Sequence, residues 1–444
     1  METLTKPREP SVTPAAAEPG WVMLNTYGCF GDDFVVTDAK TVADSITSKG
    51  RHFRVSMALA APPACSLLYH DLVGSAPSDE EETHYSHVIA AHGDSVLFHM
   101  THGLKDSFDD EDSFDYDAVA SDHFVYTAGG ASLPPLLLLL PGRYIPMLFE
   151  GDVDEADDRD AAGRTLKLED TGILRRGEDE LLVVQLEVAY KAQRDTAELC
   201  VLRLGNNWDL KRAVPIVHED GGQGDGLPHW WESVAAIPVG DRYLCWVNYL
   251  DGFLLCDMAD MASPSKLRYV RLPVNNVYKD EEGRRGYASN HDKPTLRCSR
   301  NMCAAGAGAV RFVSVDSRCC CGGPGWSSCP RSRFAFTVTT WTLTLRMDEP
   351  MTWVKDGVLD CDELWALPEY GSVPRVPLEY PVVSSDDPDV VCFMVRNDYS
   401  SYRKERKVWM LEVDTRSKRL RSVLPCNIDP YKAARPNIPA KLHF

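Results

Sequence analysis

DRYLCWVNYLDGFLLCDMADMASPSKLRYVRLP, residues Asp241 to Pro273, decides how the rest of the chain is read. An apolar run from Tyr243 to Val247 meets Asp251-Gly252, and a second run from Phe253 to Cys256 ends at Asp257. Asp-Gly between two short β-rich runs is a hairpin signal, because the favoured hairpin turns need positive φ. A polar loop follows, and a third run from Leu267 to Leu272 stops at Pro273, which cannot donate to a ladder. The stretch therefore reads as a three-strand antiparallel meander.

Working outward, the same pattern recurs. Leu181 to Val188 is followed by Glu198 to Leu204, a turn at Asn206-Asn207, Trp208, and a third run from Val214 to Val217. Val310 to Val315 pairs across a long loop with Phe334 to Leu345, followed by Trp353. Val390 to Val395 pairs with Val408 to Val413, then Leu420 to Leu424. Toward the N-terminus, Trp21 to Leu24, Phe53 to Leu59, Ser66 to Tyr69, Val88 to Ala91, Ser95 to Met100, His123 to Thr127 and Leu136 to Leu140 are further strands. Thr37 to Ser48 reads as a short helix or a long loop.

Strand-only repeats, with few short helices between them, imply an all-β fold: an irregular propeller-like array of antiparallel meanders with six or seven blades. A lone meander exposes an edge and an apolar face, whereas radial packing buries both. A pair of two-sheet sandwiches is the competing arrangement. The first 20 residues, rich in Pro, Ala and Glu, read as a disordered lead, and 21–444 as one propeller-like domain.

A chain of 444 residues with 44% hydrophobic residues can bury a large interior. Its net charge of −19 disfavours general nucleic-acid binding. The charge is uneven: fourteen acids face one base between Asp71 and Gly142, and nine bases face four acids between Arg396 and Arg421. Fourteen cysteines, several inside apolar runs, read as core thiols in a reducing compartment. The N-terminus lacks an apolar signal core, and Leu136 to Leu140, the longest aliphatic block, is too short to span a bilayer. A cytoplasmic or nuclear location, away from membranes, is the expectation.

The run Trp246 to Tyr249, Gly252 to Asp257 and Leu267 to Pro273 resembles a signature of a large plant family catalogued as a domain of unknown function, family 1618. Trp353 to Asp356, Leu364-Trp365, Tyr380 to Met394, Trp409 to Asp414, Trp21 to Leu24 and Ala61 to Pro63 fit the same family. Asn248 departs from it, since the family pattern leads one to expect Asp there. The resemblance implies a propeller-like architecture similar to F-box-associated and kelch-type modules, here without an F-box. It brings no catalytic residues.

Local motifs point the same way. Cys298-x4-Cys303 fits one half of a zinc knuckle, but the CCCGGPGWSSC run from Cys319 to Cys329 is not a usual second half. A strand over Arg311 to Ser317 also places Cys303 and Cys319 about 20 Å apart. His84, His87, His92, His99 and His102 are dense, but residues three apart in a strand face opposite ways, so polar loop and strand-edge histidines are expected. The acidic run Asp106 to Asp117 lacks the central Gly and the helices of a calcium loop. GGQGDG from Gly221 has no Lys-Ser/Thr after it, and no G-x-S-x-G or H-E-x-x-H occurs.

No catalytic residue, cofactor or metal site is therefore expected. The expected role is a non-enzymatic interaction module whose loops bind a basic protein partner. Candidate contact residues are Asp109, Asp110, Glu111, Asp112, Asp115 and Asp117, with the acidic run Asp152 to Asp160 adding to the same charge. Trp230 and Trp231 join them, because adjacent residues in an extended segment face opposite ways and one indole then reaches a surface. The alternative is an enzyme or small-molecule binder that uses a central channel.

Overall fold

The computed structural model describes residues 19–30, 39–73, 82–104, 120–130, 133–142, 166–177, 179–188, 196–218, 231–259, 266–274, 277–279, 285–287, 293–319, 332, 334–397, 407–426 and 436–442. The N-terminal sheet contains β1 (Val22–Asn25), β2 (Cys29–Phe30), β3 (Ala43–Ile46), β4 (His52–Ala58) and β5 (Cys65–Val73). The next comprises β6 (Glu82–His92), β7 (Ser95–Leu104), β8 (Ala120–Thr127) and β9 (Leu136–Leu139) in sequential order. β10 (Thr171–Arg176), β11 (Glu180–Val188), β12 (Thr196–Arg203) and β13 (Trp208–His218) form a third meander. β14 (Ala235–Val239), β15 (Tyr243–Asn248), β16 (Gly252–Asp257) and β17 (Leu267–Arg271) form the fourth.

After a small hairpin, β18 (Val277–Lys279) with β19 (Arg285–Tyr287), comes a short helix, α1 (Lys293–Ser299). The fifth meander is β20 (Arg300–Ala304), β21 (Ala309–Ser317), β22 (Phe336–Thr344) and β23 (Val354–Asp360), followed by α2 (Cys361–Trp365). The sixth is β24 (Glu379–Val383), β25 (Val390–Arg396), β26 (Val408–Asp414) and β27 (Arg419–Cys426). The last strand, β28 (Pro436–Ala440), returns to the N-terminal sheet and pairs antiparallel with β1.

The first strand of each meander packs against the first strand of the next: β6 on β10, β10 on β14, β14 on β20, β20 on β24. β28 completes the circle, lying against both β24 and β6. The molecule is a closed six-bladed ring of the propeller type. The N-terminal blade runs β28-β1-β5-β4-β3 from axis to rim, so the two ends of the chain share one sheet. Residues 26–28 tie that blade to the next: Val88 N donates to Thr26 O at 2.8 Å and Gly28 N to Ser86 O at 3.0 Å.

Radial packing explains why β15 and β16 are apolar on both faces. Leu244, Trp246, Leu254 and Cys256 pack toward β11 and β12 of the preceding blade. Tyr243, Cys245, Val247, Phe253 and Leu255 pack toward β20 to β22 of the following one. A strand sandwiched this way loses its polar alternation, and each fully buried large side chain contributes about 1.5–3 kcal/mol. Trp246 adds a specific tie, its indole N–H donating to Asp170 O at 2.8 Å across the blade boundary.

Several readings need correction. The second to sixth blades have four strands each, and in the third to sixth the sequence repeats capture the outer three. The innermost strands β10, β14 and β20 escape because they are short and carry Gly, Ala, Pro, Arg or Asn beside the crowded axis. Within the stretch 37–48, the described residues 39–48 contain a 3-10 turn at Ala39–Thr41 and the rim strand β3, not an α-helix or a long loop. The hairpin at Asp251-Gly252 exists, but for a different reason. Asn248 makes the turn, with its side-chain oxygen accepting from Leu250 N at 2.9 Å and its carbonyl from Asp251 N at 3.2 Å. Gly252 pairs with Asn248 inside the ladder and is needed there because a Cβ would lie 2.4 Å from Val270 O.

One rim feature breaks the blade pattern. The end of β13 pairs in parallel with β17, joining two blades edge to edge into one eight-stranded sheet. At the rim between the first two blades, β3 and β9 lie close together without such pairing.

Candidate functional site

Where the six innermost strands converge they surround a cavity of about 940 Å³. Every blade contributes to its wall: Ile438 to Lys441, His87 to His92, Leu168 and Glu169, Ala235 to Pro238, Asn301 to Ala304, and Tyr380. Small residues dominate the strand positions because six backbones meet there. Pro238 is tolerated because the inner edge of a first strand carries no ladder bonds.

The charged wall residues are Glu169, Arg297 and Lys441. Arg297, near the end of α1, reaches across to Glu169, with Nη2 to Oε1 at 3.1 Å. Lys441 holds Asp386 at 3.0 Å, and both are about half exposed. Tyr380 sits at a bulge in β24 with φ of 49°, a left-handed backbone rare for an aromatic residue, and its ring lies beneath the Arg396 guanidinium at 6.0 Å.

Two reactive-type groups of the wall, Cys303 and His92, are held in neutral forms. Burial pushes the Cys303 thiol up to about 12, and the thiol lies 2.9 Å from Asn301 Oδ1. Burial, followed by the nearby Arg175, lowers His92 to about 4, and its Nδ1 accepts from Arg175 N at 2.8 Å. Both are neutral at physiological pH.

From the cavity wall outward along the second blade runs a row of imidazoles that local spacing does not reveal. His87 on β6, His99 on β7 and His123 on β8 are cross-strand partners. Their rings follow one another at 5.7 and 5.8 Å, and Tyr27 packs edge-on against His87 at 5.3 Å. His99 and His123 are 5% and 7% exposed. Burial above all, then the neighbouring imidazole, lowers each to about 3. His99 is thus a mid-strand core residue, not the strand-edge histidine expected.

The sequence-derived candidates fare unevenly. Asp109, Asp110, Glu111, Asp112, Asp115, Asp117 and Trp230, with the run at residues 152–160, lie outside the described residues. Trp231 is corrected: it is 3% exposed, packs edge-on against Tyr269 and donates to Ser233 Oγ at 3.1 Å. Pro228 and the Gly-rich segment before it gave no sign that this indole would be drawn under the β13–β17 seam. Cys303 and Cys319 flank opposite ends of the β20–β21 hairpin, since Cys303 pairs with Arg311 and Cys319 follows Ser317. Among the described residues one group meets the proximity for a metal, Asp360, Cys361 and Asp362, and the Arg318 guanidinium already binds both its carboxylates.

Of the six described bases in the stretch from Arg396 to Arg421, four are paired with carboxylates. Arg396 binds Glu379, Arg416 binds Asp389, Lys418 binds Glu363, and Arg421 binds Asp387 and Asp414.

The Asn248 turn, the β15–β17 meander and the strands up to β25 form one contiguous segment, and that segment is the recognisable part of the chain. Residues 246–392 match the family described as protein of unknown function (DUF1618). The matched segment thus spans most of the fourth blade from within β15, the fifth blade and part of the sixth, including α1 with Arg297. No curated protein matches the sequence. Among solved structures the chain is similar to the WD40 domain of SCAP from fission yeast, at 10% identity over 88% of this chain and 77% of that one, with a TM-score of 0.26. It is also similar to the tricorn protease, at 8% identity over 85% of this chain and 40% of that one, TM-score 0.20. With scores this low, the architecture rests on the strand order itself.

Proposed function

We propose that the protein is a non-enzymatic interaction module that holds an extended, basic segment of a partner protein at the rim of its β ring. The observation that carries this reading is the edge of β9. Among the described residues β9 pairs only with β8, so its outer backbone groups face away from the sheet. Leu136 and Leu138 on that strand are 57% and 36% exposed, and Ile46 on the adjacent β3 is 58% exposed. An unpaired edge with alternating apolar side chains is the geometry to which an extended peptide adds as a further strand. The surrounding sequence from Asp71 to Gly142, fourteen acids against one base, favours a basic segment. Elsewhere on the same rim, β17 receives β13 in this way.

An intracellular setting fits this role, since the eleven described cysteines are all free thiols. No helix among the described residues is long and apolar enough to cross a membrane.

The test uses two labelled ten-residue peptides, one alternating Val and Lys, the other Val and Glu, read by fluorescence anisotropy. The Lys peptide is expected to bind more tightly, to weaken with salt, and to lose at least tenfold in affinity when Leu136→Lys and Leu138→Lys are combined. Equal binding of the two peptides, or unchanged binding by the double variant, would remove the proposal.

A further inference from the structure

We infer that the axial cavity is a binding site for a small amphipathic anion, an aryl or alkyl body bearing one carboxylate. The inference is independent of the rim reading above, and either can fail without the other.

Size and enclosure come first. About 940 Å³ bounded by all six blades lies within the range that takes a small organic molecule. Part of the wall is apolar, with the half-buried Ile89, Ala235, Ile237 and Ile438 offering contact for a hydrocarbon body.

Charge selects the head group. The whole chain carries −19, yet on this wall the two cations Arg297 and Lys441 are matched by only two carboxylates, Glu169 in the wall and Asp386 beside it, so the acidic excess does not extend here. His92, also in the wall, is held neutral and adds nothing. Arg297 spends one terminal nitrogen on Glu169, at 3.1 Å, and a guanidinium has five N–H donors. With its side chain 37% exposed on the cavity, the remaining donors are available to a carboxylate, which a guanidinium binds in a fork. Lys441 stands on the same wall, half exposed, with its charge shared with Asp386 at 3.0 Å.

A cationic ligand fits less well. Glu169 is the sole acid of the wall among the described residues, and Arg297 already occupies it. A bound carboxylate would compete with Glu169 for Arg297, so Glu169 acts as a built-in competitor that keeps the guanidinium in place while the cavity is empty.

The test compares three probes with one body and different heads: 4-phenylbutyrate, 4-phenylbutanol and 4-phenylbutylamine, titrated calorimetrically into the full-length chain. The carboxylate is expected to bind at least tenfold more tightly than the amine. Arg297→Leu should abolish that preference, Lys441→Met should weaken it less, and Glu169→Gln should tighten carboxylate binding by freeing the guanidinium. Arg297 and Lys441 are 37% and 47% exposed, so both variants should fold, as melting curves would verify. Equal or tighter binding of the amine would overturn the inference. So would carboxylate affinity unmoved by Arg297→Leu and Lys441→Met, or no binding of any probe at millimolar concentration.

Discussion

Acidification from pH 7.5 to 5 should destabilise this ring through two buried imidazoles. His99 and His123 sit between the second and third blades at about 3, against an ordinary value of 6.5. Each binds a proton more readily unfolded than folded. Their stabilising contribution is therefore complete above pH 6.5 and declines as pH falls from 6.5 toward 3. Below 6.5 each costs about 1.4 kcal/mol per pH unit, so at pH 5 each has removed about 2 kcal/mol and the pair about 4. Urea unfolding at pH 7.5, 6.5 and 5 measures this directly. His99→Gln or His123→Gln should lower stability at pH 7.5 yet flatten the pH dependence by about 2 kcal/mol, since the replacement cannot gain a proton. If both variants retain the full wild-type slope, or if carbon-labelled His99 titrates near 6.5, the placement of these rings in a dry seam is wrong.

Two further substitutions probe the joints between blades. Gly28→Ala places a Cβ 2.0 Å from Ser86 Oγ and 3.1 Å from Leu68 O, and should lower stability by about 1–3 kcal/mol in urea unfolding. Ser86→Ala in the same chain removes the worst clash and should recover part of the loss. Arg311→Met removes a guanidinium, 5% exposed, that bridges Asp356 at 2.8 Å and Asp389 at 2.7 Å. The two carboxylates keep Thr342 and Arg416 as partners, so the cost should be about 2–3 kcal/mol rather than the full penalty of orphaned charges. A midpoint shift in urea below 0.5 kcal/mol would show that the bridge contributes nothing.

What the sequence reveals depends on where a strand sits in its blade. β11, β12, β15, β16, β21, β25 and β26 are covered on both faces, so their apolar runs stand out. β14, AAIPV, and β20, RNMCA, serve the axis, where crowding selects small residues and a free edge admits Pro, and no run of large apolar residues forms. The cavity is illegible for a related reason. Glu169, Arg297 and Lys441 are far apart in the chain and share no local spacing; only closure of the circle brings them to one wall. The histidines were noticeable as a cluster on β6 and β7, but His123, on β8, joins the row through strand register, which single-chain periodicity does not encode.

The pairing of β28 with β1 has a consequence for synthesis. On the ribosome β1 is made before every other strand of the ring, and its partner β28 after all of them. Until then the nascent protein is an open arc, with the future axis exposed to water and β1 offering bare backbone to any passing strand. Shielding of that edge by a holding factor, or slow synthesis of the segment that carries β28, would decide how many chains close upon themselves and how many join a neighbour instead.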